Sequence, residues 1–328
     1  MSERSPSARP PVVVVTGPTS AGKTRTAIEL ALRFDGEIVN ADSMQVYRFM
    51  DLGTAKPTLE QRARAPHHLI DVVAPDERYS AGRYAAEARA AAARIHAAGR
   101  CVLLVGGTGL YIRACLEGLL PGGAAHPGLR AELEAEHARA AAAGDPERLY
   151  RRLLDLDPAT AEGIHAHDVR RTVRALELCL ASGAPASERR RAHGFADRPY
   201  RVLHLALDPG RTALDERIDA YCREMVERGL LQEVRALRAR GFGPELRPMG
   251  ALGYRHMQPV LEGRATLADA LRDMQRDTRH FARRQRTWLR KVPEAIGVDP
   301  GDLEGIARRV EAFLRAGNVD GAQAVEAR

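Results

Sequence analysis

The chain holds only four cysteines, Cys101, Cys115, Cys179 and Cys222, and no C-x-x-C pair among them. That scatter excludes a disulfide framework and a cysteine zinc site, and marks all four as reduced core residues. A long apolar run is also missing. The stretch after the polar, Pro-rich start MSERSPSARPP is too short for a signal peptide or a membrane span, so a cytoplasmic protein with no membrane association is expected. Aromatics make up 5% of the residues while Ala and Arg abound, a bias that genomic base composition produces as readily as function does. No internal repeat or low-complexity tract occurs beyond Ala-rich helices. No unpaired apolar helix stands out either, so a monomer without an obligate protein partner is expected.

The most telling absence lies beside a motif that is present. Residues 17–24 read GPTSAGKT and fit G-x-x-x-x-G-K-[ST], with Gly17, Gly22, Lys23 and Thr24 at the fixed positions. They follow the apolar run Val12–Val15, so the motif leaves a strand and opens a helix. There the backbone from Gly17 through Pro18, Thr19, Ser20, Ala21 and Gly22 to Thr24 cradles a di- or triphosphate. Lys23 adds charge and Thr24 can hold Mg²⁺. Nucleotide hydrolases usually add a second apolar strand that ends in Asp. Here the matching strand, CVLLV at 101–105, runs into Gly106-Gly107-Thr108-Gly109-Leu110-Tyr111 and carries no carboxylate. The glycines suggest a loop made for close approach to a substrate. The acid sits instead after the preceding strand, as Asp42 in EIVNADS. The site therefore departs from nucleotide hydrolysis.

With 328 residues and 45% apolar content, the chain can form one large α/β domain with an insertion, or two domains. Its net charge of +7 favours an anionic partner. Strands expected at about 12–16, 36–40 and 101–105 alternate with helices at 23–33 and 80–98, the rhythm of a parallel sheet covered on both faces. Past Pro121-Gly122-Gly123 the pattern becomes helical over 128–192, with Asp145-Pro146 and Asp157-Pro158 as helix starts. A strand returns at 200–207, followed by helices to about 316. The expected architecture is a P-loop NTPase-like parallel core over 11–122 and 200–316, interrupted by an all-helical insertion over 123–199. Loose ends are expected at 1–10 and 317–328.

Three helices carry arginines that call for a partner. Over 266–291, after a capping-box start at Thr266, Leu267, Leu271, Met274, Phe281 and Trp288 form a seam. Arg272, Arg276, Arg279, Arg283, Arg286 and Arg290 line one face for about 27 Å. Asp273 and Asp277 serve the first half, but no acid occurs from Arg279 to Lys291, which favours RNA or diphosphate contact there. Arg170, Arg171 and Arg174 cluster after His167-Asp168, where an ordinary basic patch is an equal reading. Arg217 flanks the buried stripe Leu214, Ile218, Tyr221 and Met225, and an arginine beside a core face needs an anion, either a salt bridge or a substrate phosphate. His67-His68 would point to opposite faces of a strand, so a loop-ordering role is expected for them and not a metal site.

Taken together, GPTSAGKT (17–24), NADSMQVYRFMDLGTAKP (40–57), PHHLID (66–71), YSAGRY (79–84), LLVGGTGLYIRACLEGL (103–119), GYRHM (253–257) and RQRTWLR (284–290) closely resemble the bacterial-type tRNA dimethylallyltransferase family. The resemblance runs from about 11 to 291. It implies transfer of a dimethylallyl group from dimethylallyl diphosphate to N6 of adenosine 37, in tRNAs reading codons that begin with U, with Mg²⁺ required. It implies that the phosphate loop holds a diphosphate leaving group, met also by Arg217 and Thr108, and that Asp42 is the general base. It places Ser43, Met44 and Gln45 around the target base. Arg130, the segment Arg170, Arg171, Thr172, Val173 and Arg174, and the Arg279, Arg283 and Arg286 stripe would lie on the anticodon stem-loop of the tRNA. That partner must give up a stacked base to a pocket. Ser20-Ala21 swaps the family's usual order of small residues, and His256 stands where Gln is frequent. A small-molecule kinase leaves the basic insertion and arginine stripe unexplained. An adenylate isopentenyltransferase leaves the insertion unexplained. A non-catalytic RNA-binding protein should have lost one of Lys23, Thr24, Asp42, Thr108 or Arg217.

Overall fold

The computed structural model describes residues 9–119, 126–193 and 197–323. The expected break at Pro121-Gly122-Gly123 and most of the expected loose ends lie outside them. Residues 317–323, expected to be loose, instead continue a helix. In chain order the elements are β1 Pro11–Thr16, α1 Lys23–Arg33, β2 Gly36–Asn40, α2 Leu59–Arg64, β3 His67–His68, α3 Ala81–Ala97, β4 Cys101–Gly106 and α4 Gly109–Glu117. Then come α5 Pro127–Ala142, α6 Arg148–Leu156, α7 Pro158–Ala161, α8 Val169–Ser182 and α9 Ala186–His193. The chain ends with β5 Arg201–Leu207, α10 Arg211–Glu227, α11 Leu230–Ala239, a 3-10 turn at Arg247–Gly250, α12 Tyr254–Leu261, α13 Leu267–Leu289, β6 Ala295–Val298 and α14 Leu303–Gln323. Two compact units result: Glu117–Arg198 is one, and the described residues before and after it form the other. Among the described residues no helix is long and apolar enough to cross a membrane.

The larger unit is an α/β fold around a six-stranded, wholly parallel sheet of order β3-β2-β4-β1-β5-β6. Four consecutive valines make β1 its centre: Val12–Val15 are at most 2% exposed, because helices cover both faces. Each such side chain contributes roughly 1.5–3 kcal/mol through burial. The four strands expected from the sequence are present. The two-residue β3 and four-residue β6 are too short to carry a periodicity that could have announced them. The loops after β1, β2 and β4, three adjacent strands, leave from the same carboxyl edge, where open parallel sheets bind their ligands. They carry GPTSAGKT, Asp42 and GGTG respectively. A Cβ on Gly106 would run into the backbone of Ala41, so the β2 and β4 exits touch backbone to backbone.

The smaller unit packs α5 to α8 around Leu133, Leu149, Leu153, Ile164, Val173 and Leu176. Asp157 is buried and caps α7 by accepting from the Thr160 amide at 3.1 Å, as its Asp-Pro signature suggests. Asp145 does not cap a helix as expected: α6 starts at Arg148, and Asp145 pairs with Arg151 at 2.6 Å. Glu177, fully buried on α8, accepts from the His126 amide at 2.7 Å and from Arg130 at 2.5 Å, with Arg174 at 2.9 Å. Burial pushes its carboxyl up, but these donors outweigh that and hold it below the usual glutamate range.

Gly106→Ala should destabilise the protein by about 1–3 kcal/mol through overpacking against Ala41. Gly263→Ala, at a site with no neighbour in reach of the new methyl, carries only the strain of its positive φ. Denaturant melts of both variants check the difference.

Candidate active site

The GPTSAGKT loop is held from below and beside. A Cβ on Gly17 would stand 2.8 Å from the Leu207 carbonyl, so β5 alone demands a glycine there. Gly22, with φ +93°, turns the chain into α1, whose first amides have no intrahelical partner and point into the loop. Lys23 is half-buried and donates to the carbonyls of Gly17 at 3.0 Å and Pro18 at 2.8 Å. Burial lowers its ammonium to about 8, against the opposing charge of Asp42. The Thr19 amide is already committed to Gln285 Oε1 at 2.9 Å, so this member of the expected cradle has no N–H to offer an anion.

Asp42 is the pivot of the site. Its Oδ1 accepts from the amides of Met44 at 2.8 Å and Gln45 at 3.3 Å, which caps the turn after β2. Its Oδ2 has no hydrogen-bond partner among the described residues. The capping role and an open carboxylate oxygen therefore coexist in one side chain. Thr108 Oγ1 accepts from the Ser43 amide at 3.0 Å, while the Thr108 amide donates to the Ala41 carbonyl at 3.1 Å. Gln45 donates to the carbonyls of Thr54 and Ala55, both at 3.1 Å, and so fastens the long loop after β2. Buried Lys56 ties the same loop to Asp51 at 2.8 Å and Asp71 at 2.6 Å.

Asp42 lines two adjoining hollows. The smaller, about 40 Å³, also has Lys23, Thr24, Asn40 and Gln45 in its walls. The larger, about 330 Å³, takes Ser43, Met44 and Thr108 at one side and an apolar wall of Ile218, Tyr221, Met225, Met274 and Phe281. Gly250–Gly253, Thr278, Arg255, Arg284 and Gln285 are also among its walls. The carboxylate thus stands between the Lys23–Thr24 end of the GPTSAGKT loop and an apolar cleft. Among the described residues no cluster of three or more His, Cys, Asp or Glu could cage a metal. Thr24 beside Asp42 suits an ion such as Mg²⁺, which keeps waters and leans on substrate phosphates. His67 and His68 are engaged otherwise, with the Ala65 carbonyl at 2.8 Å and Glu37 at 2.6 Å.

Several expectations need correction. Arg217 is exposed on α10, not wedged against the core, so no buried charge there demands an anion; it has no ion pair among the described residues and does not line the cleft. The stripe on α13 does meet acids after Arg279, because other elements supply them: Arg279 pairs with Asp219 of α10, and Arg286 with Asp208 at 2.8 Å. Arg283 alone of the three expected contacts stays exposed without an ion pair among the described residues. Leu267, expected in the seam, is 38% exposed. His256 makes a core contact: Nδ1 accepts from the Gly253 amide at 3.2 Å and Nε2 faces Asp277 at 3.2 Å.

In the smaller unit, Arg130, Arg170, Arg171, Val173, Arg174, Arg190 and Arg191 line a concavity of about 1120 Å³. The expected RNA contacts there divide into two kinds. Arg130 and Arg174 are tied to buried Glu177, and Thr172 is 2% exposed and turned inward, so its side chain offers no RNA contact. Val173 belongs to the helical core while lining the concavity. Arg170 and Arg171 are exposed and have no ion pair among the described residues. Residue-by-residue reading missed Gln285, Arg284 and the Gly250–Gly253 wall, although the RQRTWLR and GYRHM segments had flagged their neighbourhoods.

Inorganic diphosphate should bind with an affinity that falls by up to about tenfold per pH unit above pH 8. Below that pH Lys23 is already charged; above it, the anion must recharge the ammonium and take up a proton. Calorimetry in buffers of different ionisation enthalpy measures the uptake, and Lys23→Met should abolish it.

Two family models match: "IPP transferase" over residues 45–292 and "Isopentenyl transferase" over 10–74. A tRNA dimethylallyltransferase of Anaeromyxobacter dehalogenans is 50% identical over 301 residues, covering 92% of this chain and 99% of the relative. One from Desulfatibacillum aliphaticivorans is 45% identical, covering 92% and 98%. The solved tRNA isopentenylpyrophosphate transferase of Bacillus halodurans superposes with a TM-score of 0.69 at 33% identity, over 96% and 99% of the two chains. A eukaryotic dimethylallyltransferase solved while acting on tRNA gives a TM-score of 0.76 at 29% identity, over 89% and 74%.

Proposed function

The chain belongs to the IPP transferase family, and we propose that it moves a dimethylallyl group from dimethylallyl diphosphate to N6 of adenosine 37 in tRNAs reading codons that begin with U. Diphosphate and N6-isopentenyladenosine are the products. The observation that carries this reading is the place of Asp42, with one oxygen fixed by backbone amides and the other open, between the phosphate-binding loop and an apolar cleft. A kinase needs no apolar wall of Met225, Met274 and Phe281 at that point; a five-carbon donor does.

The chemistry follows from the parts. The first amides of α1 and the Lys23 ammonium face the diphosphate and stabilise the charge that grows on it as the allylic C–O bond breaks. Fixed donors of this kind typically contribute on the order of 3 kcal/mol each. Arg217, exposed and unpaired among the described residues, is available to the same anion, a role that rests on the family resemblance. An exocyclic adenine amine is a poor nucleophile. Asp42 Oδ2 would orient it and take its proton as the new N–C bond forms, and Ser43, Met44 and Thr108 would hold the base. Prenyl transfer from a diphosphate generally uses a divalent metal; here we take it to be Mg²⁺, held by Thr24 and the diphosphate, where it would neutralise leaving-group charge. The concavity with Arg170 and Arg171 would bind the anticodon stem-loop through its phosphates. The protein would act as a cytoplasmic monomer.

Unmodified tRNA with adenosines at positions 36 and 37, incubated with dimethylallyl diphosphate and Mg²⁺, should gain one dimethylallyl group on adenosine 37, while AMP stays untouched. Mass spectrometry of the digested RNA reads both; modification of AMP alone would point to a free-nucleotide acceptor. Asp42→Asn keeps an acceptor for the two amides and loses the base, so kcat should fall about 10²–10⁴-fold with tRNA affinity little changed.

Removing charge at Arg170 and Arg171 together should lower tRNA affinity and make its dependence on log salt shallower by about two. The melting temperature should not move. Arg130→Ala should instead cost about 1–3 kcal/mol of stability, since it strips a partner from buried Glu177. Salt titrations of binding beside thermal melts separate the two classes of arginine.

A further inference from the structure

We infer that Gln285 is a positioning residue for the transfer reaction: its amide fixes the distance between the phosphate-binding loop and the Gly106–Thr108 loop. The inference rests on the transferase reading. Gln285 Oε1 accepts from the Thr19 amide at 2.9 Å, and Gln285 Nε2 donates to the Gly107 carbonyl at 3.2 Å. One neutral side chain thus spans the loop that holds the leaving group and the loop that holds Thr108. The fit leaves no slack, because a Cβ on Gly107 would collide with Gln285 Nε2. One turn further along α13, Trp288 lies so close over Gly109 that a Cβ there would enter its ring. The helix therefore grips the β4 exit at two points.

The link continues into the reaction centre. Gly107 precedes Thr108, whose hydroxyl accepts from Ser43 at 3.0 Å, and Ser43 follows Asp42. A shift of the Gln285 amide would move the leaving-group loop relative to the base. Misplacement of about 1 Å can cost on the order of 10²-fold in rate. The residue type is also constrained. The site needs one acceptor and one donor, uncharged, at that reach. Glutamate keeps the acceptor, loses the donor and sets a negative charge against the Gly107 carbonyl. Asparagine is a methylene short. The same helix lines the cleft with Met274, Thr278, Phe281 and Arg284, so the cleft wall and both loops share one rigid mount.

The test uses the full chain with Gln285→Ala and Gln285→Glu. Gln285→Ala should lower kcat about 10–100-fold while KM for tRNA stays within about threefold. Hydrogen exchange should quicken in residues 17–22 and 106–111 together, with the rest of the sheet unchanged. For Gln285→Glu, the ratio of its kcat to the native one should rise as pH falls from about 8 to about 5.5. A protonated carboxyl regains the donor and the acceptor of the amide. An unchanged kcat with a raised KM for tRNA would make Gln285 an RNA contact and overturn the proposal. So would a flat ratio across pH, or exchange that quickens throughout the sheet in step with a lower melting point. If the native protein transferred no prenyl group, the transferase reading would fail. The exchange measurement would still decide whether Gln285 couples the two loops.

Discussion

The approach of the β4 exit to its neighbours allows almost no side-chain volume, and the site depends on that constraint. Gly106 meets the Ala41 backbone, Gly107 meets Gln285, and Gly109 meets Trp288. The contacts come from two quarters: the β2 exit, and successive turns of one long helix. Together they set where Thr108 stands, and Thr108 in turn sets Ser43 and the turn that carries Asp42. The glycines read from the sequence as room for a substrate are first of all room for the protein itself. This changes what their substitution should do, from a loss of ligand contact to a displacement of three loops at once.

The same constraint accounts for the absence that first set the sequence apart. In nucleotide hydrolases a carboxylate at the end of the second strand helps to hold the metal. Position 106 cannot carry one here, since even a methyl group would strike the Ala41 backbone. The carboxylate has moved to Asp42, one strand over. Two amides take one of its oxygens and leave the other open among the described residues. On the proposed reading, a site arranged in this way would hold a preformed leaving group and remove a proton from a nucleophile, both within reach of one aspartate. Buried Lys56, shared between Asp51 and Asp71, and Glu233, which accepts from the amides of Leu52 at 2.9 Å and Asp51 at 3.2 Å, keep the loop behind that aspartate in register.

How much of this was legible depended on whether the signal was local. The valine run of β1, the GPTSAGKT turn, the Thr266 cap and the Asp157 cap are short-range patterns with a direct physical cause, and each is where the sequence put it. β3 and β6 were not legible because two and four residues carry no periodicity; pairing with β2 and β5 alone makes them strands. The arginines misled for the same reason. An acid-free stretch after Arg279 looks unpaired along the chain, yet Asp219 and Asp208 reach it from other elements. Arg217 looked wedged beside a core stripe, but one position on a helix turns a side chain by about 100°, enough to carry it from core to solvent.

Charge of one kind therefore does two jobs in this protein, and only tertiary structure separates them. Arg130 and Arg174 stabilise a buried carboxylate that three donors keep ionised, whereas Arg170 and Arg171 on the same surface are left to the solvent. The first pair shapes the concavity; the second supplies its field. A phosphate backbone entering there would meet both, but only the second pair could turn towards it without leaving a carboxylate unpaired in the core. Breaking a buried ionic contact costs more than an exposed phosphate contact returns. On the proposed reading, the concavity keeps its shape when RNA binds, with sequence-independent affinity coming from side chains that the fold does not need.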